Sequence, residues 1–398
     1  MIFNERFCKI IVIFMFSVMT FSSLIVHIVI EPDLISKYLT GLIIGWNLTP
    51  DYEQISNLWD WWTFNLEPLI VYYFLLTGYF GMVTFGFVFG LLSILVIYLI
   101  TKEVGGNPWL AVFLFLIIPE ITNFIIIGGV NQPVMFFGLL SYYFFIKKGR
   151  FNLALFSLSL TLCVFSKLSG VMILVSFLLY MLMKKEYKKI IAVIPSIMVF
   201  VLWSIRTWIL YGNPIYPLGN SFFGLEKIYP LEELGFSNPS RLIHDLMRAN
   251  LVFFWLIYIN IKNFKTNLRT NTFDALITVF VCIFTNIIGI IFGHFWFSSR
   301  YSTIGTPLLI PKGTKKIRNK HLLSLFLIVP LIVSLTYVIR GKATFITLES
   351  FPKWDIQRWL KLNMNFYKTN QELCEIFVGD ADPLYYSNLG DCTIVKCI

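Results

Sequence analysis

The sequence has little charge and little histidine, and it lacks the short motifs of several soluble enzyme classes. Charged residues make up 14% of its 398 residues, and four residues are histidine. Soluble domains carry about 25% charged residues, so this composition argues against a soluble enzyme. The sequence has no P-loop, no nucleophile elbow and no zinc-helix motif, which excludes the sites that those motifs build.

The six cysteines show no zinc-ligand spacing. Three stand in or beside apolar runs, where a free cysteine usually behaves as a small hydrophobe: Cys8, Cys163 and Cys282. The other three stand in the C-terminal tail: Cys374, Cys392 and Cys397. In an oxidising compartment one disulfide would form in the tail and leave one cysteine over, and the sequence does not fix the pairing.

Long apolar runs dominate the chain. Hydrophobic residues make up 57% of it, and the mean hydropathy is +0.74. The clearest runs lie near residues 10–30, 82–101, 109–127, 132–146, 188–210, 250–261, 274–293 and 321–339. We predict two short spans over 151–183 and a further one over 296–311. The sequence therefore predicts an all-α polytopic membrane protein with about eleven transmembrane helices, since a span needs roughly 20 apolar residues. The first run is long for a signal peptide and no small-residue cleavage site follows it, so we predict an uncleaved anchor.

Positive charge is distributed by side of the membrane. The short loops that carry it contain Arg6, Lys9, Lys102, Lys147, Lys148, Arg150, Lys184, Lys185, Lys188, Lys189, Lys262, Lys265, Arg269, Lys312, Lys315, Lys316, Arg318 and Lys320. Lysine and arginine in short loops stay cytoplasmic. The N-terminus is therefore predicted inside, while the loops near 31–67 and 212–248 and the C-terminus lie outside. The net charge of +10 then reflects topology and contacts with anionic lipids, and we expect no nucleic-acid partner.

The distribution of apolar runs divides the chain into two parts and predicts a break inside one of the runs. Residues 1–340 form the transmembrane part, and residues 341–398 form a short extracytoplasmic tail. The stretch 68–101 is too long for one span, so we expect a membrane-surface helix that starts at Pro68 and breaks at Gly78 or Gly81. The first outer loop also carries tryptophans typical of the membrane surface.

Ionisable residues cluster on the predicted outer side. They stand in or beside spans, where charge is expensive and marks function: Asp33, Glu67, Glu120, Lys167, Arg206, His294 and Arg300. Because they share one membrane level, they can converge on a single outward cavity. Lysine and arginine bind phosphate, and a carboxylate acts as a general base. This set suits an anionic lipid-linked substrate.

Local patterns around these residues resemble the GT-C membrane glycosyltransferases, which include protein O-mannosyltransferases and lipid A aminoarabinose transferases. The resemblance runs over most of residues 1–310 and rests on the order of several segments. The matching positions are Asp33, Tyr38 and Gly41; Glu67, Pro68, Leu69 and Tyr72; Lys167 and Gly170; Arg206, Gly212, Asn213, Pro214, Tyr216 and Pro217; and Arg300, Tyr301 and Pro307.

The resemblance implies a fold and an activity. The fold is a bundle of transmembrane helices whose first outer loop lies on the membrane. The activity is transfer of a sugar from a polyprenyl-phosphate carrier to an extracytoplasmic acceptor. The resemblance implies Asp33 as the catalytic acid/base. Substrate binding is predicted for Glu67, Lys167, Arg206, Arg300, Tyr301 and His294.

The sequence also departs from the family. Asn131 stands where many members have aspartate, and Pro32 and Leu34 flank Asp33 where a two-residue acidic pair is usual. These departures leave Asp51 and Asp60 as alternative bases and leave a divalent metal requirement open. The sequence itself indicates no metal site, because Asp380 and Asp382 are better explained by a turn before Pro383.

Each candidate residue has a structural alternative, and so does the function. Asp33 and Glu67 could be ordinary residues at helix ends, Lys167 and Arg206 could reach to the membrane surface, and Arg300, Tyr301 and His294 could anchor the interface. A transporter or flippase would also have many spans and buried charge, although no inverted repeat is visible. A polymerase or ligase of surface polysaccharide is the third hypothesis.

Overall fold

The computed structural model describes residues 5–24, 67–216, 223–224 and 299–315, together with the single positions 256, 258, 260, 261, 277, 278, 281, 331 and 332. Within this part of the chain the regular structure is helical and no strand occurs, as predicted. Two helical segments, Thr84–Glu103 and Tyr187–Tyr211, are long and apolar enough to cross a membrane. Much of the first outer loop and the whole tail 341–398 lie outside the described residues, so the total number of spans stays a prediction.

The described helices follow one another with short connections. They are α1 (Glu5–Leu24), α2 (Pro68–Glu103), α3 (Pro108–Leu116), α4 (Pro119–Ile127), α5 (Gln132–Ile146), α6 (Arg150–Ser166), α7 (Gly170–Met183), α8 (Tyr187–Ile190), α9 (Ile194–Tyr211) and α10 (Ser299–Lys315). A turn of 3-10 helix, Ile191–Val193, joins α8 to α9.

Helix α2 folds back on itself at Gly78. This residue has φ 60° and ψ −153°, a combination that is essentially restricted to glycine. In a straight helix Tyr73 and Phe89 would be about 24 Å apart along the axis, but their ring centroids are 5.6 Å apart. The predicted break is therefore present, and it separates a first arm, Pro68–Gly78, from a second arm, Thr84–Glu103.

The apolar run over 109–127 is not one continuous helix, because the structure divides it into α3 and α4. Ile118 has an extended backbone, with ψ 109°, directly before Pro119. A residue before proline avoids the helical region, and proline cannot donate the backbone hydrogen bond that would continue the helix. The apolar residues on both sides of Ile118 hide this break, since α3 is apolar throughout and α4 continues with Ile121 and Ile125.

Close backbone approach fixes α2 against α4. A Cβ on Gly86 would stand 2.6 Å from the Cα of Gly128, and one on Gly90 would stand 2.6 Å from the side chain of Ile125. Glycines spaced by four residues allow this approach, which is a common packing device of membrane helices. The second arm therefore lies directly on α4 and on the turn that follows it.

The bundle has two ends that differ in charge. Phe145, near the end of α5, packs on Phe156 near the start of α6 and on Tyr180 near the end of α7, with ring centroids 5.2 and 5.6 Å apart. Helices α5 and α7 therefore end where α6 begins. We call this the basic end, because it carries Lys147, Lys148, Arg150, Lys184, Lys185, Lys188 and Lys189. The opposite end, where α5 and α7 start and α6 stops, is called the site end.

The second arm and α9 have fixed directions relative to these ends. Lys147 at the end of α5 pairs with Glu103 at the end of α2, with 2.8 Å between nitrogen and oxygen. Lys189 in α8 lies 4.5 Å from the ring centroid of Phe145, so α9 starts near the basic end and runs toward the site end. Helix α9 exposes many large apolar side chains, including Ile205 and Ile209, which is typical of a lipid-facing surface.

Candidate functional site

Lys167 occupies the break between α6 and α7. Its backbone is extended, with φ −164° and ψ 148°, so α6 stops before it and α7 starts at Gly170. A Cβ on Gly170 would stand 2.1 Å from the backbone oxygen of Cys163, so glycine is required for α7 to begin this close to α6. The prediction of two short helices that meet at Lys167 is confirmed.

Glu67 is the partner of Lys167, although the two residues are 100 positions apart. The Lys167 ammonium donates a hydrogen bond to Oε1 of Glu67 and forms an ion pair with it. Glu67 is 1% exposed, and the Lys167 side chain is 15% exposed. Burial of one charge alone would be costly, and the pairing offsets that cost. The pair also ties the start of the first arm to the break between α6 and α7.

Arg206 lies on α9 beside a run of aromatic rings. Its guanidinium carbon is 4.5 Å from the ring centroid of Trp203, within the range of a cation–π contact. Trp203 contacts Phe165 edge to face, with centroids 5.5 Å apart. Phe165 in turn lies nearly parallel to Tyr72 of the first arm, at 6.5 Å. The aromatic run therefore joins α9, α6 and the first arm.

These elements surround an apolar pocket at the site end. Its empty volume, with the open mouth included, is about 390 Å³, and its lining is Pro68, Val164, Phe165, Leu168, Val199, Phe200, Trp203, Ser204, Thr207, Pro214, Ile215 and Tyr216. Glu67, Lys167 and Arg206 each stand next in sequence to a lining residue. None of the three lines the pocket itself, so the charged groups stand beside its apolar walls.

The segment after α9 closes one side of this pocket. Gly212 has φ 72° and ends α9 in the left-handed conformation. Asn213 is fully buried, and its Oδ1 accepts a hydrogen bond of 2.9 Å from the Ile215 amide, which turns the chain. Tyr216 then stacks on Tyr211, with centroids 4.4 Å apart. Burial raises the pKa of Tyr216 to about 12, so its phenol stays neutral at physiological pH.

The structure pairs Glu67 with Lys167 and sets Arg206 against Trp203, and each of the three adjoins a residue that lines the same pocket. Arg300 and Tyr301 lie in the first turns of α10, and their side chains are outside the described part. Asp33, with the alternative bases Asp51 and Asp60, lies outside the described residues, as do His294 and the three tail cysteines. Their predicted roles stay predictions.

Phe165 and Trp203 were not predicted as site residues. An aromatic residue in an apolar span produces the same pattern whether it faces lipid or a pocket. The periodicity of α9 also cannot distinguish these faces, because nearly all its residues are apolar. A signal was present in the position of Trp203, which stands one helical turn before Arg206 and so on the same face.

Metal ligands are not grouped in the described part of the chain. There, no three histidine, cysteine, aspartate or glutamate side chains are close enough to hold a metal ion. Comparison with models of protein families, with curated proteins and with solved structures finds no match to this chain.

Proposed function

We propose that the protein is a membrane glycosyltransferase that moves a sugar from a polyprenyl-phosphate carrier to an acceptor outside the cytoplasm. The observation that carries this proposal is the apolar pocket bordered by Lys167 and Arg206. An amphiphile with an apolar chain and an anionic head matches that combination of surfaces. The buried Glu67 keeps the site from being purely cationic.

A membrane setting supports the proposal. Two described helices are long and apolar enough to span a bilayer, and the cationic side chains gather at the basic end. The positive-inside rule would place the basic end in the cytoplasm and the site end outside it. The proposed complete fold is a GT-C-like bundle of about eleven transmembrane helices with a membrane-surface first outer loop and a small outer tail.

The proposed reaction assigns a role to each charged group. The carrier's first isoprenoid units enter the apolar pocket, and its phosphate is held by Lys167 and Arg206, with Arg300, Tyr301 and His294 as further predicted contacts. The carboxylate of Asp33 takes the proton from the acceptor as the acceptor attacks the anomeric carbon. The bond from that carbon to the phosphate oxygen breaks, and the electron pair leaves with the phosphate. Positioning and charge stabilisation would supply most of the rate.

The test is sugar transfer by membranes that contain the wild type, Asp33→Asn, Lys167→Met or Arg206→Leu at equal expression. Each reaction receives radiolabelled undecaprenyl-phosphate mannose, glucose or N-acetylglucosamine with lipid and protein acceptors. We expect transfer by the wild type, near-complete loss in Asp33→Asn, and a loss of about tenfold to a hundredfold in the other two variants, since each removes a charged hydrogen bond.

Different failures of this test have different meanings. Transfer that survives Asp33→Asn would keep the activity and move the base to Asp51 or Asp60. Transfer that is unchanged in both Lys167→Met and Arg206→Leu would remove the pocket from the mechanism. Carrier translocation without any sugar transfer would favour the flippase hypothesis.

A further inference from the structure

Two neighbouring carboxamides at the start of α5 are buried and unsatisfied. Gln132 is 0% exposed and Asn131 is 5% exposed. In the described part of the chain, the Oε1 and Nε2 of Gln132 have no hydrogen-bond partner, and the Oδ1 of Asn131 has none either. Asn131 is the residue before the helix, but its side chain makes no capping bond. Neither side chain therefore serves to start α5.

Many buried serine and threonine side chains of these helices are satisfied locally. Their hydroxyl groups donate to the backbone oxygen four residues earlier, as in Thr84, Ser93, Thr101, Ser141, Ser159 and Ser176. A buried polar group without a partner destabilises a protein, and native structures contain few of them. The two carboxamides depart from the pattern of their own bundle, which indicates a ligand-binding role.

Packing places the carboxamides at the site end. The thiol of Cys163 donates to the backbone oxygen of Val134 at 3.4 Å. From this contact α5 runs back to Gln132 and α6 runs on to Lys167, and both directions lead to the site end. Ser169, beside Lys167 in the same break, is 5% exposed, and its hydroxyl also has no hydrogen-bond partner among the described residues.

We propose that Asn131 and Gln132 form a neutral subsite that receives hydroxyl groups of the donor's sugar. This inference rests on the proposed function, because the sugar would arrive on the carrier whose phosphate Lys167 and Arg206 hold. A carboxamide offers a donor and an acceptor side by side, which matches a hydroxyl group, since a hydroxyl both donates and accepts. The subsite carries no charge, so it selects the uncharged part of the donor and leaves the phosphate to the cations.

The decisive variant is Gln132→Met, which roughly keeps the size of the side chain and removes the amide's N–H donor and C=O acceptor. Purified protein in lipid nanodiscs is heated alone, with undecaprenyl phosphate, and with undecaprenyl phosphate that carries mannose, glucose or N-acetylglucosamine. Ligand affinities follow from the rise in melting temperature with ligand concentration. Ser141→Ala is the matched control, because it removes a buried hydroxyl of α5 that already donates to the backbone oxygen of Phe137.

Two results are expected together. Gln132→Met melts at a higher temperature than the wild type, because an unpaired buried amide is gone. The same variant binds the preferred sugar-bearing carrier about tenfold more weakly and binds bare undecaprenyl phosphate as before, since only sugar hydrogen bonds are lost. Ser141→Ala retains the preference of the wild type for the sugar-bearing carrier.

The opposite results separate the two proposals. If Gln132→Met melts lower and keeps the full preference for the sugar, the subsite is overturned while the glycosyltransferase proposal stands. A wild type that binds bare and sugar-bearing carriers equally also overturns the subsite alone. A wild type that binds no carrier at all overturns the proposed function and the subsite with it.

Discussion

At the scale of single residues, the buried pair of Glu67 and Lys167 sets the cost of removing two charges from water against the attraction between them. Each charge alone would lose hydration without compensation, and together they compensate each other. We expect Glu67→Gln and Lys167→Met each to lower the free energy of unfolding by about 3 kcal/mol, and the double variant to recover most of that loss. Reversible denaturation in mixed micelles measures the three values.

The double-variant cycle contains its own control. If the pair is as buried as the structure shows, the two single effects are not additive, and the coupling between them exceeds about 1 kcal/mol. Additive effects would mean that each side chain is stabilised by other groups, and the pair would then not hold the first arm to the break after α6.

Arg206 provides a second test at this scale, which depends on the proposed function. Lysine can also make a cation–π contact, but it lacks the planar guanidinium, so Arg206→Lys keeps the charge and weakens the contact with the Trp203 ring. We expect the KM for the carrier to rise about threefold in Arg206→Lys and by tenfold or more in Arg206→Leu, with steady-state kinetics as the measurement. Equal effects of lysine and leucine would show that charge at this position does not bind the donor.

Single-residue chemistry was partly predictable from the sequence. Lys167 and Arg206 were identifiable because charge in an apolar run is rare and expensive. The pairing of Lys167 with Glu67 was not, since no local pattern relates residues that are 100 positions apart. Likewise the unsatisfied amide of Gln132 depends on what surrounds it in three dimensions, and the letter in the sequence gives only its polarity.

At the scale of elements, the fold-back of α2 depends on one backbone conformation. A Cβ on Gly78 would meet nothing within 4 Å, so substitution there is opposed by backbone strain and not by packing. Gly212 offers a matched control, with open space around it and φ 72°, ψ 8°, a left-handed conformation that asparagine tolerates.

We therefore expect asparagine to distinguish the two glycines. Gly212→Asn should change the free energy of unfolding by less than about 1 kcal/mol, whereas Gly78→Asn should lower it by about 1–3 kcal/mol. Thermal unfolding in the same detergent measures both. A harmless Gly78→Asn would mean that the first arm is not folded back as described.

Element boundaries were predictable where local chemistry determines them. Gly78 and the Lys167–Gly170 break were anticipated because glycine and buried charge interrupt apolar runs visibly. Pro119 gives a local signal for the division of 109–127, but the length of the apolar run alone does not show that a second helix starts there. The fold-back angle of α2 depends on ring packing between its two arms, as between Tyr73 and Phe85, and no sequence pattern specifies it.

At the scale of the whole molecule, the unequal charge of the two ends gives a test of orientation. In a variant without native cysteines, single cysteines at Lys148 and Phe223 occupy exposed positions, the first at the basic end and the second in the loop after α9. We expect a membrane-impermeant maleimide to label Phe223→Cys in intact cells and to label Lys148→Cys only after permeabilisation, because basic loops stay cytoplasmic. The opposite labelling would place the pocket inside the cell.

The link between Glu67 and Lys167 also has a consequence for biosynthesis. The acid leaves the ribosome 100 residues before its partner, a delay of roughly 5–20 s at ordinary elongation rates. During that interval an unpaired carboxylate in hydrocarbon would be costly, so we expect the first arm to wait at the water interface while α3 to α6 insert. The first arm would then pack against the bundle late, after Lys167 has been synthesised and can pair with Glu67.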